Sequence, residues 1–201
     1  MGVKERRDRQ KQELRRLIIT AAGNLVAKHG HEQLTMRSLA KAIEYSPRTV
    51  YLHFKDKDAL LQGIVEYGFE STLELQRRKP KHDQLPPETR MRERLRAHIE
   101  TALANANMYR VIVSLMLEKN HPPGPAQRQI LKQVNTSLME FAPEASHERI
   151  DTAVLVLMSS LRGFTISLIN AHESGQAMDP GEFIDHFVEF AVNGLRSTLT
   201  Q

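Results

Sequence analysis

Apolar residues recur at intervals of three and four along almost the whole chain, and this spacing limits the possible folds most strongly. In the first such segment, Leu14, Leu17 and Ile18 begin a stripe that continues to Val26, and Gly30 follows as a helix stop. Few segments alternate between polar and apolar residues, as strands do. The sequence therefore predicts an all-α protein of nine helices.

The composition excludes several classes of protein. The chain of 201 residues contains no cysteine, which rules out disulfides, thiolate metal sites and a cysteine nucleophile. It is 40% hydrophobic, which suits a folded globular chain. The longest unbroken apolar run is six residues, 153–158, whereas a membrane-spanning helix needs about 18 or more. No apolar stretch of signal-peptide length follows the basic N-terminus. We therefore expect a cytoplasmic protein without a membrane segment.

Positive charge is concentrated in the first third of the chain. Residues 1–60 contain 13 Lys and Arg against 7 Asp and Glu, whereas residues 61–201 contain 15 against 17. A basic domain on a nearly neutral body is typical of proteins that bind a polyanion such as DNA. A solvated, charged helix face would give the same count.

Residues 35–54 have the pattern of a helix-turn-helix. Thr35 is a helix N-cap, and Ser46 with Pro47 supplies a second cap and a proline at the first helical position. Two helices of about two turns each, joined by a short turn, form this motif. The apolar positions that would hold the two helices together are Leu39, Ala40, Ile43, Val50 and Phe54.

The second short helix carries side chains suited to the major groove of DNA. Hydrogen-bonding and methyl groups distinguish base pairs there, and a helix fits the groove. Arg48 is the best candidate for a bidentate contact to guanine, while Arg37, Tyr51 and Lys57 would contact phosphates. An ordinary helical hairpin with a polar face is the alternative. The outward residues of the second helix are Pro47, Arg48, Thr49, Tyr51 and His53.

Residues 4–16 add a basic arm ahead of the first helix. Such an arm could follow phosphates or enter an adjacent minor groove. A frayed terminus without fixed contacts is equally compatible with the sequence. The cations of this segment are Lys4, Arg6, Arg7, Arg9, Lys11, Arg15 and Arg16.

Residues 16–65 resemble the tetracycline-repressor (TetR) family of bacterial transcription regulators. The resemblance rests on His29-Gly30, on residues 34–40, and on residues 46–61, which are Ser-Pro-Arg-Thr-Val-Tyr-Leu-His-Phe-Lys-Asp-Lys-Asp-Ala-Leu-Leu. It implies a homodimeric DNA-binding repressor with a three-helix head and a helical C-terminal body that senses a small molecule. It also implies DNA contacts at Thr35, Arg37, Ser46, Pro47, Arg48, Thr49, Tyr51, His53 and Lys57.

Two residues depart from the family pattern. Glu44 stands in the turn where the family often has glycine, so the chain there either adopts a left-handed conformation at some cost or reshapes the turn. Arg48 stands where many members have glycine, which adds a long side chain toward the DNA. Operator sequences of other members are therefore a poor guide to this one.

The last two helical segments are apolar on more than one face, which predicts burial on two sides. The core of the chain can cover one side and a second subunit the other, although both helices could also lie inside one domain. Small residues repeat every four positions and would allow close helix approach. We expect a homodimer interface at Val154, Met158, Ser159, Gly163, Ser167, Phe187, Phe190 and Gly194.

The evidence for a ligand pocket is weaker. Methionine and phenylalanine side chains could line an adaptable apolar pocket, with a histidine as a polar contact, but such residues are more often plain core. The resemblance implies a pocket for an unidentified small-molecule effector. Its candidate residues are His98, Met108, Met116, Met139, Met158 and Phe164.

Catalytic motifs fail on inspection. Three His-Glu pairs occur, but Thr35, Asp151 and Gln176 occupy the positions where a zinc protease would need its second histidine. Phosphate-binding glycine loops and nucleophile elbows are also missing from the sequence. We therefore expect no enzyme activity, no cofactor and no metal site.

Three functional hypotheses follow. The first is a ligand-responsive repressor with a DNA-binding domain at residues 1–60 and a helical effector-binding and dimerisation domain at residues 61–201. The second keeps DNA binding but replaces the small molecule with a protein partner. The third is a helical adaptor that binds protein rather than DNA.

Overall fold

The computed structural model describes residues 2–77, 84–118, 122–176 and 179–199, and these residues form nine helices and no strand. The all-α expectation is therefore confirmed over this part of the chain. The helices are α1 (Val3–His29), α2 (Met36–Ala42), α3 (Pro47–Tyr51), α4 (Lys57–Arg77), α5 (Pro87–Ala104), α6 (Ala106–Glu118), α7 (Pro125–Phe141), α8 (His147–Glu173) and α9 (Pro180–Leu199).

Proline and glycine set several of the helix ends. Pro47, Pro87, Pro125 and Pro180 each open a helix, where the missing N–H has no intrahelical partner to lose. Gly30 ends α1 with a φ of 80°, a conformation that residues with a Cβ rarely adopt. The proline-containing segments 80–87 and 121–125 predict breaks between helices, but their residues 80–83 and 121 lie outside the described residues.

The chain divides into two compact units that are not contiguous in sequence. Unit 1 contains residues 1–70 and 107–124, and unit 2 contains residues 71–106 and 125–201. Helix α6 therefore belongs to the same unit as the helix-turn-helix. The division of roles at residue 60 stays a prediction.

The core of unit 1 fixes the short helices α2 and α3. Leu39 and Val50, two of the predicted contacts between them, are fully buried, and Ala40 and Phe54 are nearly so. Ile43 packs against this core and is half-buried. The cluster also includes Ile18 and Ile19 of α1, Leu60, Leu61 and Ile64 of α4, and Val111 and Leu115 of α6.

Gly63 allows α4 to approach the end of the helix-turn-helix. A Cβ added at this residue would lie 2.6 Å from Cε1 of Phe54. Real Cβ atoms do not come so near, so alanine at this position would have to displace the aromatic ring. The glycine thus holds Phe54 close to the axis of α4.

Unit 2 packs around α8 and α9. The rings of Phe164 and Phe187 stack with centroids 4.2 Å apart inside its core. Ion pairs join α5 to α9 at the surface: Glu88 accepts a hydrogen bond from Arg196 at 2.6 Å, and Arg96 pairs with Asp185. Within α5, Arg92 also donates to Glu88 at 2.8 Å.

Helix α8 is long and apolar enough to cross a membrane by length and composition alone, with a mean hydropathy of 1.7 over its best window. This corrects the expectation from apolar run length, because interspersed serine, threonine and glycine shorten the runs without lowering the mean much. The core helix of a soluble protein passes the same test. Seven side chains of α8 are buried in unit 2: Ile150, Ala153, Leu157, Leu161, Thr165, Leu168 and Ile169.

Candidate nucleic-acid interface

Helix α2 starts with a reciprocal cap. The hydroxyl of Thr35 accepts the backbone N–H of Ser38 at 3.0 Å, and the hydroxyl oxygen of Ser38 accepts the backbone N–H of Thr35 at 3.1 Å. Two of the donors left over at a helix start are thereby satisfied. Thr35, Arg37 and Ser38 are all exposed at this end of the helix. The sequence prediction of a cap at Thr35 is confirmed.

The turn between α2 and α3 is a Schellman motif with Glu44 at its left-handed position. The N–H of Tyr45 donates to the carbonyl of Ala40 at 3.0 Å, and the N–H of Glu44 donates to that of Lys41 at 3.3 Å. The φ of Glu44 is 59°, the one positive value outside glycine among the described residues. The sequence left open whether Glu44 adopts a left-handed conformation or the turn is reshaped, and the chain adopts the left-handed conformation.

Helix α3 starts at a cap that uses two of the predicted DNA-contacting residues. The Oγ of Ser46 accepts the N–H of Thr49 at 3.1 Å, and the two hydroxyl oxygens lie 2.9 Å apart. Pro47 occupies the first position of the helix. The cap fixes the start of α3, where a recognition helix contacts bases.

Helix α3 is shorter than the sequence indicated. It ends at Tyr51, one turn before Phe54, the last residue of the predicted helix-turn-helix pattern. The N–H groups of His53 and Phe54 both donate to the carbonyl of Val50, at 3.0 Å each. The helix has only five residues because the chain then turns toward the core, where the side chain of Phe54 is buried.

The outward face of α3 is open to solvent. Pro47, Arg48 and Tyr51 are exposed, with Tyr51 at 52%, whereas Thr49 and His53 are half-buried. Leu52 is 73% exposed beside them and was not among the predicted site residues. The sequence could have indicated Leu52 in one way only: it is apolar but does not belong to the residues that pack the two short helices together.

Lys57 lies at the start of α4, where its ammonium donates to the backbone carbonyl of Glu32 at 3.0 Å. Asp56 caps the same helix, because its Oδ1 accepts the N–H of Ala59 at 2.7 Å. The lysine thus ties the loop before α2 to the start of α4. It retains two other N–H donors that a phosphate could use.

The basic segment at residues 4–16 is helical, which corrects its description as an arm ahead of the first helix. Helix α1 begins at Val3 and runs without interruption to His29. The guanidinium carbon of Arg15 lies 4.4 Å from the ring centroid of Phe54, a cation–π contact. No local sequence pattern connects α1 with Phe54, which follows the end of α3.

His53 lies next to Phe54 in the chain and is affected by the same part of α1. Burial lowers the pKa of His53, and the positive charges of Lys11 and Arg15 lower it further. Two cations of α1 therefore act on a residue of the helix-turn-helix. The electrostatic potential is therefore positive on the side of the helix-turn-helix that faces Lys11 and Arg15.

The predicted dimer residues fall into exposed and buried groups. Ser159, Gly163 and Ser167 of α8 and Phe190 and Gly194 of α9 are exposed, while Val154 and Met158 are half-buried. Apart from the backbone of its own helix, a Cβ added at either glycine would meet nothing within 4 Å in the described part of the chain. Phe187 instead lies in the core of unit 2.

The predicted pocket residues are divided between the two units. Met108 and Met116 pack on the core of unit 1, whereas Met139 and Phe164 pack on that of unit 2. Met158 is half-buried in α8. Burial lowers the pKa of His98, in α5, to about 4. A pocket that all six residues share stays a prediction.

Unit 2 also has a surface cleft of about 630 Å3, which contains none of the predicted pocket residues. It lies between the start of α8 and the end of α9. Its lining is polar: Ser146, Glu148, Arg149, Thr152, Ser197 and Thr198.

Residues 18–64 match the family model described as bacterial regulatory proteins, tetR family. The uncharacterized HTH-type transcriptional regulator YuxN of Bacillus subtilis is 27% identical over 131 residues, which cover 64% of this chain and 43% of YuxN. The matched part is thus less than half of that relative.

Two solved structures share the fold over most of the chain. The fatty acid degradation regulator FadR from Bacillus halodurans has a TM-score of 0.72 and 18% identity, over 90% of this chain and 98% of FadR. AibR in complex with isovaleryl coenzyme A and operator DNA has a TM-score of 0.62 and 20% identity, over 88% of this chain and 96% of AibR.

Proposed function

The N-terminal domain of this chain belongs to the tetR family of bacterial regulatory proteins, and we propose that the protein is a transcriptional regulator that binds a palindromic operator as a homodimer. Helix α3 enters the major groove. Arg48 contacts a guanine, and residues at the starts of α2 and α4 contact phosphates. In this proposal the protein acts in the cytoplasm.

The capped, outward-facing start of α3 is the observation that carries this proposal. Arg48 and Tyr51 are exposed there, and the backbone beneath them is fixed by the Ser46 cap and by the buried Val50. Fixed backbone lowers the entropy that a flexible segment would lose on binding. The excess of positive charge in residues 1–60 adds attraction to phosphates.

The uncovered face of α8 and α9 supports a homodimer. Leu155, Val156 and Phe190 are 66%, 58% and 72% exposed, and Gly163 and Gly194 leave space for close approach. Exposed apolar side chains of this size mark interaction surfaces when they cluster. Two copies related by a two-fold axis would present two α3 helices to successive major grooves.

We further propose that a small-molecule effector controls DNA binding and that the protein is a repressor. AibR, which shares the fold, was solved with isovaleryl coenzyme A and operator DNA. An effector acts if it binds one arrangement of the heads more tightly than the other. Control by a protein partner instead of a small molecule is the second candidate.

Selection of bound duplexes from a random library tests DNA binding directly. The wild-type protein should enrich an inverted repeat whose half-sites are about 34 Å, one helical turn, or a multiple of that apart. Selection with an Arg48→Ala variant should keep the repeat but relax one position in each half-site. Enrichment of no sequence, or of a site without two-fold symmetry, would contradict the proposal.

A metabolite panel added to the selected complex separates the two modes of control. An effector should release the DNA at saturating concentration, and the coupling should reappear as weaker effector binding in the presence of DNA. If no metabolite changes the affinity but a partner protein does, the second candidate is correct.

A further inference from the structure

We propose that the N-terminal half of α1 is a second DNA-contacting element, in which Lys4, Arg7, Lys11 and Arg15 follow the phosphates that flank the half-site of α3. The inference rests on the proposed DNA binding and extends the contact surface beyond the helix-turn-helix.

The four cations share one face of α1. They are separated by three, four and four residues, a spacing that places side chains above one another on a helix of 3.6 residues per turn. From Lys4 to Arg15 the stripe is about 16 Å long. A stripe of that length spans several phosphates of one DNA strand.

Contacts at its C-terminal end orient the stripe toward the helix-turn-helix. Arg15 lies over the ring of Phe54, which directly follows His53 at the end of the motif. Lys11, one turn earlier, acts electrostatically on His53. Because α1 is continuous, the same face carries Lys4 and Arg7 away from α3 along a surface continuous with it.

The charges of this face are available for a partner. Lys4, Arg7 and Lys11 are exposed and form no ion pair within the described part of the chain, and Asp8 is the one carboxylate at the edge of the stripe. On the opposite face, Arg9 pairs with Glu13 at 3.0 Å. Like charges four residues apart, such as Arg7 with Lys11, destabilise an isolated helix. A polyanion placed along the stripe removes that repulsion.

DNA phosphates fit this surface better than base edges do. Flexible lysine and arginine side chains spread along a helix match a row of negative charges without fixing a base-pair register. The surface also adjoins the candidate major-groove contact. Sequence-independent contacts to the flanks are therefore expected.

Two charge-matched variants test the proposal. The first, K4Q/R7Q/K11Q, removes three cations of the stripe and leaves Arg15 on Phe54. The second, R6Q/R9Q/R16Q, removes three cations from the opposite face. Dissociation constants are measured over a range of salt concentrations on the selected operator, flanked by one helical turn of DNA on each side. Circular dichroism checks that both variants keep their helix content.

The stripe variant should bind at least tenfold more weakly at moderate salt, and the salt slope should fall by about 2.7 for three lost phosphate contacts. The opposite-face variant should stay close to the wild type in both quantities. Trimming the duplex to its half-sites should remove the difference between the stripe variant and the wild type. Changing the sequence of the flanks should have no effect.

Equal losses in the two variants would show general attraction by net charge and would overturn the proposal, as would an unchanged salt slope in the stripe variant. A dependence on flank sequence would overturn the assignment to phosphates. Failure of the wild type to bind any duplex would instead overturn the proposed function itself, so the two failures are distinguishable.

Discussion

The Oγ of Ser46 lies 2.9 Å from the Oγ1 of Thr49 and accepts the backbone N–H of the same residue. One hydroxyl therefore both caps α3 and orients a side chain on its outward face. Because a helix of five residues has few other hydrogen bonds to sustain it, its position depends on this cap more than a long helix would.

Ser46→Ala should lower the free energy of unfolding by about 1 kcal/mol, since the side-chain cap is lost and the N–H of Thr49 keeps only the backbone carbonyl of residue 46 as its acceptor, at 3.0 Å. Affinity for the selected operator should fall as well, because the start of α3 loosens. Urea unfolding and a gel shift measure the two effects. Thr20→Ala, at an exposed position inside α1, is the control. Wild-type stability in Ser46→Ala would contradict the role of the cap.

Arg48→Ala should weaken operator binding by about 1–3 kcal/mol and relax the preference at one base position, because a bidentate contact to guanine is lost. Stability should not change, since Arg48 is exposed. Lys132→Ala removes an exposed cation from unit 2 and should bind DNA normally. An Arg48→Ala variant that discriminates operators as the wild type does would show that another residue makes the base contact.

Gly163→Ala should weaken dimerisation while raising the helix propensity of α8 by about 1 kcal/mol. Apart from the backbone of its own helix, no described part of the chain lies within 4 Å of the added Cβ, so any loss must come from a second copy. Sedimentation equilibrium over a range of concentrations measures the dimer dissociation constant. Gly2→Ala, where a Cβ is also unopposed, serves as the comparison. Unchanged dimerisation would place the interface elsewhere.

Glu44→Gly should stabilise the protein by about 1 kcal/mol, because glycine adopts the positive φ of this position without a steric penalty. Glu44→Ala removes the same charge but keeps the Cβ, and it should therefore not stabilise. Thermal unfolding of the two variants separates backbone strain from charge. Equal gains in both would mean that the carboxylate, rather than the left-handed backbone, is the unfavourable feature.

The stability of the protein should fall as the pH drops from about 6.5 to about 4, because the pKa of His98 is about 4 in the folded state and about 6.5 in the unfolded chain. Between these two pH values the unfolded state binds a proton that the folded state does not bind. The free energy of unfolding therefore falls by at most about 1.4 kcal/mol for each pH unit. Urea unfolding at several pH values measures it.

His98→Gln should flatten this pH dependence, whereas the exposed-histidine variant His147→Gln should keep it. His53, whose pKa is also lowered, adds a dependence of the same sign. A curve that is unaltered in His98→Gln would mean that other groups cause the loss.

The spacing of apolar residues and the cap residues predicted most helices, because each of these signals is local. Ser46, Pro47 and Thr35 cap or open helices where the sequence indicated. The N-terminal half of α1 was missed as a helix because it has no apolar stripe before Leu14. Good helix formers and the Arg9–Glu13 pair sustain it instead.

The grouping of α6 with the helix-turn-helix could not be predicted from sequence, because it depends on glycines of other helices that leave room for side chains of α6. A Cβ at Gly23 would lie 2.5 Å from the terminal carbon of Met108, and Ile112 occupies the corresponding space beside Gly68. Each glycine is separated from its partner by more than 40 residues. Such a fit is set by tertiary packing, which local periodicity does not encode.

Because Val111 and Leu115 complete the core around α1 and α4, a fragment that stops at residue 60 or 70 would leave a bare hydrophobic surface. Chimaeric regulators made by grafting only the N-terminal third onto a foreign body would carry that defect and aggregate. A working exchange has to transplant residues 107–124 along with the first 70, which makes the splice a matter of three junctions rather than one.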